Sequence, residues 1–243
     1  GSVITSISRE SSDFATLPGG LREVPVLSVF SELQRRGEVQ SSGRDSGLLD
    51  KLVKSRKSGY SLEQAFYTDP AIYELELERV VYRNWILAGH VSELPDPGDF
   101  KVLNIARESV ILVRGGDGAI RAFANVCRHR GSLVCLEKSG NTRKFVCPYH
   151  GWTYDTDGRL VAARSMPQEF DRSEHSLRSV SYGEIHGLMF VCFSGEPPSL
   201  EGAIRDLAEP MALFDFPNLK VAARNTYDIP ANWKLCIENY QEC

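Results

Sequence analysis

Two stretches decide the fold: Asn125–Cys135, NVCRHRGSLVC, and Phe145–Trp152, FVCPYHGW. The first holds Cys127 and His129 as C-x-H. The second holds Cys147 and His150 as C-x2-H, and seventeen residues separate His129 from Cys147. A glycine closely follows each histidine (Gly131, Gly151), where a small residue lets the backbone fold tightly and aim N–H groups at sulfur. Two thiolates and two imidazoles on paired loops suit a tetrahedral ion or an iron–sulfur cluster. Zinc sites usually segregate Cys pairs from His pairs. Here each loop mixes the two types, which suits a binuclear centre whose one iron takes both cysteines and whose other takes both histidines.

Outward from these loops, the texture is that of a β domain. WILAGHVSEL, DFKVLNI, ESVILVRG, AIRAFAN, KFVCPYH, WTYDT, RLVAA and LMFVCF are short runs rich in β-branched and aromatic residues, separated by the turn signals DPGD, GGDG, KSGN and DTDG. This rhythm predicts a small antiparallel β domain of roughly 110 residues, assigned to 86–195. DTDGRL resembles a calcium loop only at its opening. No acid stands at the twelfth position, so it reads as a hairpin turn.

Residues 1–45 are rich in Ser, Gly, Arg and Glu and read as a weakly structured extension with one helix around Ser28 to Arg36. A helical segment, 46–85, follows. SGLLDKLVKSR is a short amphipathic helix, and TDPAIYELELERVVYRNW holds a second, with Asp69 as N-cap and Pro70 at its first position. Tyr73, Leu77 and Val80 or Val81 mark its apolar face. In 196–243, GEPPSL is a linker, LEGAIRDLAEPMALF is helical, NLKVAARNTYDI is strand-like and NWKLCIENYQEC is helical.

The 243 residues are 42 % apolar and 25 % charged, with a net charge of −4, so neither a nucleic-acid nor a membrane partner is expected. No run of about 18 apolar residues is present. Six cysteines without an export signal suggest a reducing compartment, with the cytoplasm as the default. Cys135, Cys192, Cys236 and Cys243 read as core thiols. His90, His175 and His186 stand singly and read as core or surface residues.

CRHRG followed by CPYHGWTYDTDGRL resembles the Rieske domain of the Rieske non-haem iron oxygenases, the ring-hydroxylating alpha-subunit family. FYTDP, NWILAGHVSELPDPGDF and MPQEFD are similar to the flanks of its quaternary-amine branch, which acts on glycine betaine, choline or carnitine. The resemblance covers residue 60 to the end. It implies an α+β chain: an antiparallel β Rieske domain, N-terminal helices and the start of a helix-grip catalytic domain. Cys127 and Cys147 would hold the inner iron of a [2Fe-2S] cluster, and His129 and His150 the outer one. Trp152 would pack over the cluster, and Arg130, with Arg128, would fix the loop, contact the neighbouring subunit or favour the reduced state.

The NWK…EN ending resembles the start of the catalytic domain. There Asn239 matches a residue near a mononuclear iron, and Glu242 matches the carboxylate bridging a Rieske histidine to the iron site of the next subunit. Glu at this place, where most members carry Asp, suits the quaternary-amine branch. The resemblance further implies a mononuclear Fe(II), a separate reductase or ferredoxin component fed by NAD(P)H, a homotrimer and a small-molecule substrate. The iron ligands would lie beyond Cys243, so the 243 residues alone are expected not to turn over. The alternatives are an aromatic-ring dioxygenase or a stand-alone Rieske electron carrier.

Overall fold

The structure is a computed structural model that describes residues 45–242. The N-terminal extension through residue 44, with the helix expected around Ser28 to Arg36, and Cys243 lie outside the described residues. Among those described, three α-helices precede the β domain: α1 (Asp45–Ser55), α2 (Ala65–Thr68) and α3 (Pro70–Arg79). At the start of α3, Asp69 accepts a hydrogen bond from the Ala71 amide at 2.8 Å, and Pro70 occupies the first turn, where its missing N–H costs nothing. The buried face of α3 is carried by Ile72 and Leu77, whereas Tyr73 and Val80 are exposed. The expected face is thus rotated by one residue at its first turn, because the core lies on the Ile72 side.

Ten strands follow among the described residues: β1 (Ile86–His90), β2 (Asp99–Ile105), β3 (Glu108–Arg114), β4 (Ile120–Ala124), β5 (Ser139–Asn141), β6 (Lys144–Val146), β7 (Thr153–Asp155), β8 (Leu160–Ala162), β9 (Ser179–Ile185) and β10 (Leu188–Cys192). They form a seven-stranded antiparallel sheet in the order β1-β10-β9-β4-β3-β2-β5 and a three-stranded sheet, β6-β7-β8. Strand β3 is interior to the larger sheet, and both of its faces are covered. Val110 and Leu112 enter one core with Leu77, Ile86, Leu94, Met189 and Val191. Ile111 and Val113 point the other way, into a second core with Phe100, Phe123, Phe145, Trp152, Tyr154 and Leu160. Side-chain alternation along a strand divides one apolar run between two cores.

The second core draws on both sheets, and Cys127 and Cys147 belong to it. DTDG forms the expected hairpin turn between β7 and β8, with the Gly158 amide donating to the Asp155 carbonyl at 2.9 Å. Beyond the β domain come α4 (Glu201–Leu213) and α5 (Trp233–Gln241). NLKVAARNTYDI forms no strand. No described strand pairs with it, and Leu219, Val221, Tyr227 and Ile229 are exposed. Without backbone pairing to another strand, side chains that favour extended structure do not by themselves make one. Cys135 and Cys192 are buried, as core thiols should be, whereas Cys236 is exposed on α5. Among the described residues, no helix is long and apolar enough to cross a membrane.

Candidate metal centre

The two Cys–His loops sit at strand ends. One follows β4; the other joins β6 to β7. Both share one backbone frame. In the first, the Cys127 amide donates to the Ser132 carbonyl at 2.8 Å, and the Cys127 carbonyl accepts from the Gly131 amide at 3.0 Å. In the second, the Cys147 amide donates to the Trp152 carbonyl at 2.8 Å, and the Cys147 carbonyl accepts from the Gly151 amide at 2.9 Å. Each loop closes through a left-handed glycine, Gly131 at φ 76° and Gly151 at φ 71°, a conformation that carries a steric cost for any residue with a Cβ.

This frame turns both cysteines inward and both histidines outward. Cys127 and Cys147 are 3 % and 2 % exposed, His129 is half-buried and His150 is exposed. The imidazole ring centroids are 4.7 Å apart. The His129 ring lies flat on Trp152, at 4.8 Å and an interplanar angle of 11°, while Tyr149 covers His150 at 3.9 Å. Trp152 is itself buried and touches Phe170 and His175, at 5.5 and 5.8 Å between ring centres. A cavity of about 710 Å³ opens over the histidines, with Arg130, Arg164 and Met166 in its lining.

Several features fit a bound metal group. His129 Nδ1 is buried without a hydrogen-bond partner, and a buried imidazole nitrogen in that condition is costly unless something coordinates it. Burial, with the adjacent His150 and Arg130, holds the His129 pKa below its ordinary value, so the ring is neutral and able to ligate. Burial also pushes the Cys127 thiol up; Cys147 adds to this, while bonds from Tyr154 and the His129 backbone oppose it. A bound cation reverses that preference and draws off the proton. Cys127, His129, Cys147 and His150 could therefore hold a metal group of mixed sulfur and nitrogen ligation.

Sequence reasoning did not single out two residues that build this site. Tyr154, fully buried, places its hydroxyl 3.3 Å from Cys127 Sγ and accepts from the Arg128 amide at 3.0 Å. Because the amide is a donor, the phenolic proton is free to point at sulfur. Asn125, also fully buried, accepts from the Val134 and Cys135 amides at 3.0 and 2.8 Å and donates to the Cys135 carbonyl at 2.7 Å. The signal for Tyr154 was its place two residues beyond Trp152, hence on the same face of an extended chain. His175, read as a bland single, packs on Phe170 at 4.5 Å as well as on Trp152. His90 is the core residue expected, with Nε2 donating to the Phe216 carbonyl at 3.0 Å. His186 is half-buried on a left-handed turn, its Nε2 3.2 Å from the Ile204 carbonyl.

Arg130 is exposed and Arg128 half-buried. Asn239 and Glu242 are exposed at the end of α5, and among the described residues no hydrogen bond or ion pair joins their side chains to the Cys–His loops. The fold is that of the Rieske class of iron–sulfur domains. Residues 84–192 match the Rieske [2Fe-2S] domain family, and residues 216–243 match the ring-hydroxylating alpha-subunit catalytic domain. The chain belongs to the Rieske oxygenase family.

Within that family it is 39 % identical over 193 residues to the glycine betaine monooxygenase oxygenase subunit of Pseudomonas aeruginosa, covering 79 % of this chain and 45 % of the relative. It is 34 % identical over 189 residues to the carnitine monooxygenase oxygenase subunit of Acinetobacter baumannii, covering 76 % and 51 %. Among solved structures, a quaternary ammonium Rieske monooxygenase in complex with its substrate L-carnitine matches at a TM-score of 0.67 and 34 % identity, covering 72 % of this chain and 51 % of that one. The chain spans about half the length of the curated relatives it matches.

Proposed function

We propose that this chain is the cluster-bearing part of a Rieske oxygenase subunit, with Cys127, His129, Cys147 and His150 as the ligands of its [2Fe-2S] group. The observation that carries the assignment is the pair of matching loops with the buried, partnerless His129 Nδ1 between them. When bound, the group supplies one-electron transfer. The buried cysteines keep its sulfur-ligated side dry, and the outward histidines present the other side for electron exchange. Trp152, stacked on His129, fixes the ring and excludes water. Arg130 adds positive charge beside His129, which favours the reduced state.

In the full-length subunit we assign Asn239 and Glu242 to the neighbourhood of a mononuclear Fe(II), with Glu242 facing a Rieske histidine of the adjacent subunit in a homotrimer. A separate reductase draws the electrons from NAD(P)H. The substrate is a quaternary amine such as glycine betaine, oxidised with O2. The glycine betaine and carnitine monooxygenase relatives support that choice. The domain limits we assign are 46–85 for the helical segment, 86–195 for the Rieske domain and 196–243 for the linker and the start of the catalytic domain. A reducing compartment, the cytoplasm, suits five described cysteines that are all free.

Visible and EPR spectra of the purified protein test the assignment. A brown protein with an EPR signal on reduction and about two irons per chain is expected. A colourless, EPR-silent protein with stoichiometric zinc refutes it. Tyr154→Phe should lower the reduction potential by roughly 50–100 mV, since it removes about 1–2 kcal/mol of hydrogen bonding to a sulfur that grows more negative on reduction. An unmoved potential in a redox titration shows that the hydroxyl does not act on Cys127.

A further inference from the structure

We propose that Tyr67 and Glu76, which lie ahead of the β domain, are positioning residues for helix α5 and through it for Asn239 and Glu242. The inference rests on the role given to Glu242 under the proposed function. Among the described residues, α5 buries no side chain fully: Trp233 and Ile237 are half-buried, and Leu235 and Tyr240 are exposed. Its polar contacts reach back to residues 157 to 171 positions earlier in the chain. At the first turn, Trp233 Nε1 donates to Glu76 Oε2 at 3.0 Å, and Lys234 Nζ donates to both Glu76 oxygens at 2.6 and 2.7 Å. The capping residue Asn232 donates from Nδ2 to the Tyr67 carbonyl at 3.2 Å. One turn on, the Tyr67 hydroxyl lies within donating distance of both Glu238 oxygens, at 2.8 and 2.9 Å.

The Glu76–Lys234 pair is not an ordinary surface pair. Its side chains are 13 % and 11 % exposed, and Lys234 Nζ also sits 5.8 Å from the Tyr67 ring centre and 5.2 Å from that of Trp233. Removing either charge strands the other in a poorly solvated place. Desolvation and the Glu238 carboxylate hold the Tyr67 phenol above its ordinary pKa, so it remains the donor. Anchors at the first turn and one turn later fix both the position of a helix along its axis and its rotation. Glu242 follows Glu238 by four residues, so the second anchor lies one turn before it. Loss of one anchor removes one of the two points that tie α5 to the helices ahead of the β domain.

Amide hydrogen exchange on this chain tests the clasp. In Tyr67→Phe and Glu76→Ala, amides of α5 should exchange at least about tenfold faster, and faster still in the double variant, while those of β3 and β10 are unchanged. Glu76→Gln keeps an acceptor oxygen for Trp233 and should restore part of the protection. Unchanged exchange in α5, or acceleration spread equally over β3 and β10, overturns the positioning role. In the full-length subunit with its reductase, both variants should lower kcat about tenfold at unchanged KM for the amine, as Glu242→Gln should too. If Glu242→Gln turns over normally, the reading of Glu242 fails, and the exchange result still decides whether Tyr67 and Glu76 hold the helix.

Discussion

His129→Cys should lower the reduction potential by a few hundred millivolts, from the Rieske range of about −150 to +300 mV toward the plant-type ferredoxin value of about −400 mV. The direction follows from charge. A neutral imidazole leaves the group less negative than a thiolate does, and added negative charge opposes uptake of an electron. Here the imidazole is held neutral by its surroundings: burial, His150 and Arg130 all disfavour its protonation. The substitution also removes a ring stacked on Trp152 at 4.8 Å, so water gains access to a site that is otherwise covered. An EPR-monitored redox titration reads the result. A variant that retains its iron with an unchanged potential would show that His129 is not a ligand. His150→Cys should shift the potential in the same direction, and its exposed position predicts less disturbance of the fold.

The two Cys–His loops, which carry the ligands proposed above, were legible in the sequence because metal binding restricts residue type and spacing, and both survive in a one-dimensional reading. Helix α3 was legible for a similar reason: Asp69 and Pro70 act on neighbours close in the chain. Elements made by distant partners were harder to read. Strand β5 is only Ser139–Asn141, exposed and polar, and it is a strand because β2 lies beside it, with Asp99 opposite Asn141. Strand β9, SVSYGEI, went unrecognised because Ser181 and Gly183 interrupt its apolar pattern; it pairs with β10 from Ser181 to Ile185 and with β4 at Ser179 and Val180. NLKVAARNTYDI fails in the opposite sense, with strand-like composition and no described partner. The same distinction separates Cys127 from Tyr154. One announces its chemistry by type; the other becomes part of the site only when β7 is laid against the first loop.

Asn125→Ala should destabilise the β domain by about 3 kcal/mol or more, because it leaves buried backbone donors without partners, each costing about 1–3 kcal/mol. The Asn125 side chain is the internal scaffold of the first Cys–His loop. Its oxygen accepts from two successive amides, Val134 and Cys135, and its nitrogen donates to the Cys135 carbonyl and to Ser109 Oγ, at 2.7 and 3.1 Å. The chain leaving the loop is thereby tied to the chain entering it, and Cys127 lies only two residues beyond. The side chain has 0 % exposure, so these groups are withdrawn from bulk solvent and depend on Asn125 for their bonds. Asn125→Asp is the informative companion. It keeps the shape and the acceptor for both amides but loses the amide donor and buries a carboxyl against the Cys135 carbonyl, so it should recover part of the lost stability and not all of it. Denaturant midpoints measured with the cluster in place, together with iron content per chain, separate the two consequences. A loss of iron that parallels the loss of stability is expected, since an untied loop no longer holds Cys127 opposite Cys147. Full stability and full iron in Asn125→Ala would show that the loop is held by its shared backbone frame alone.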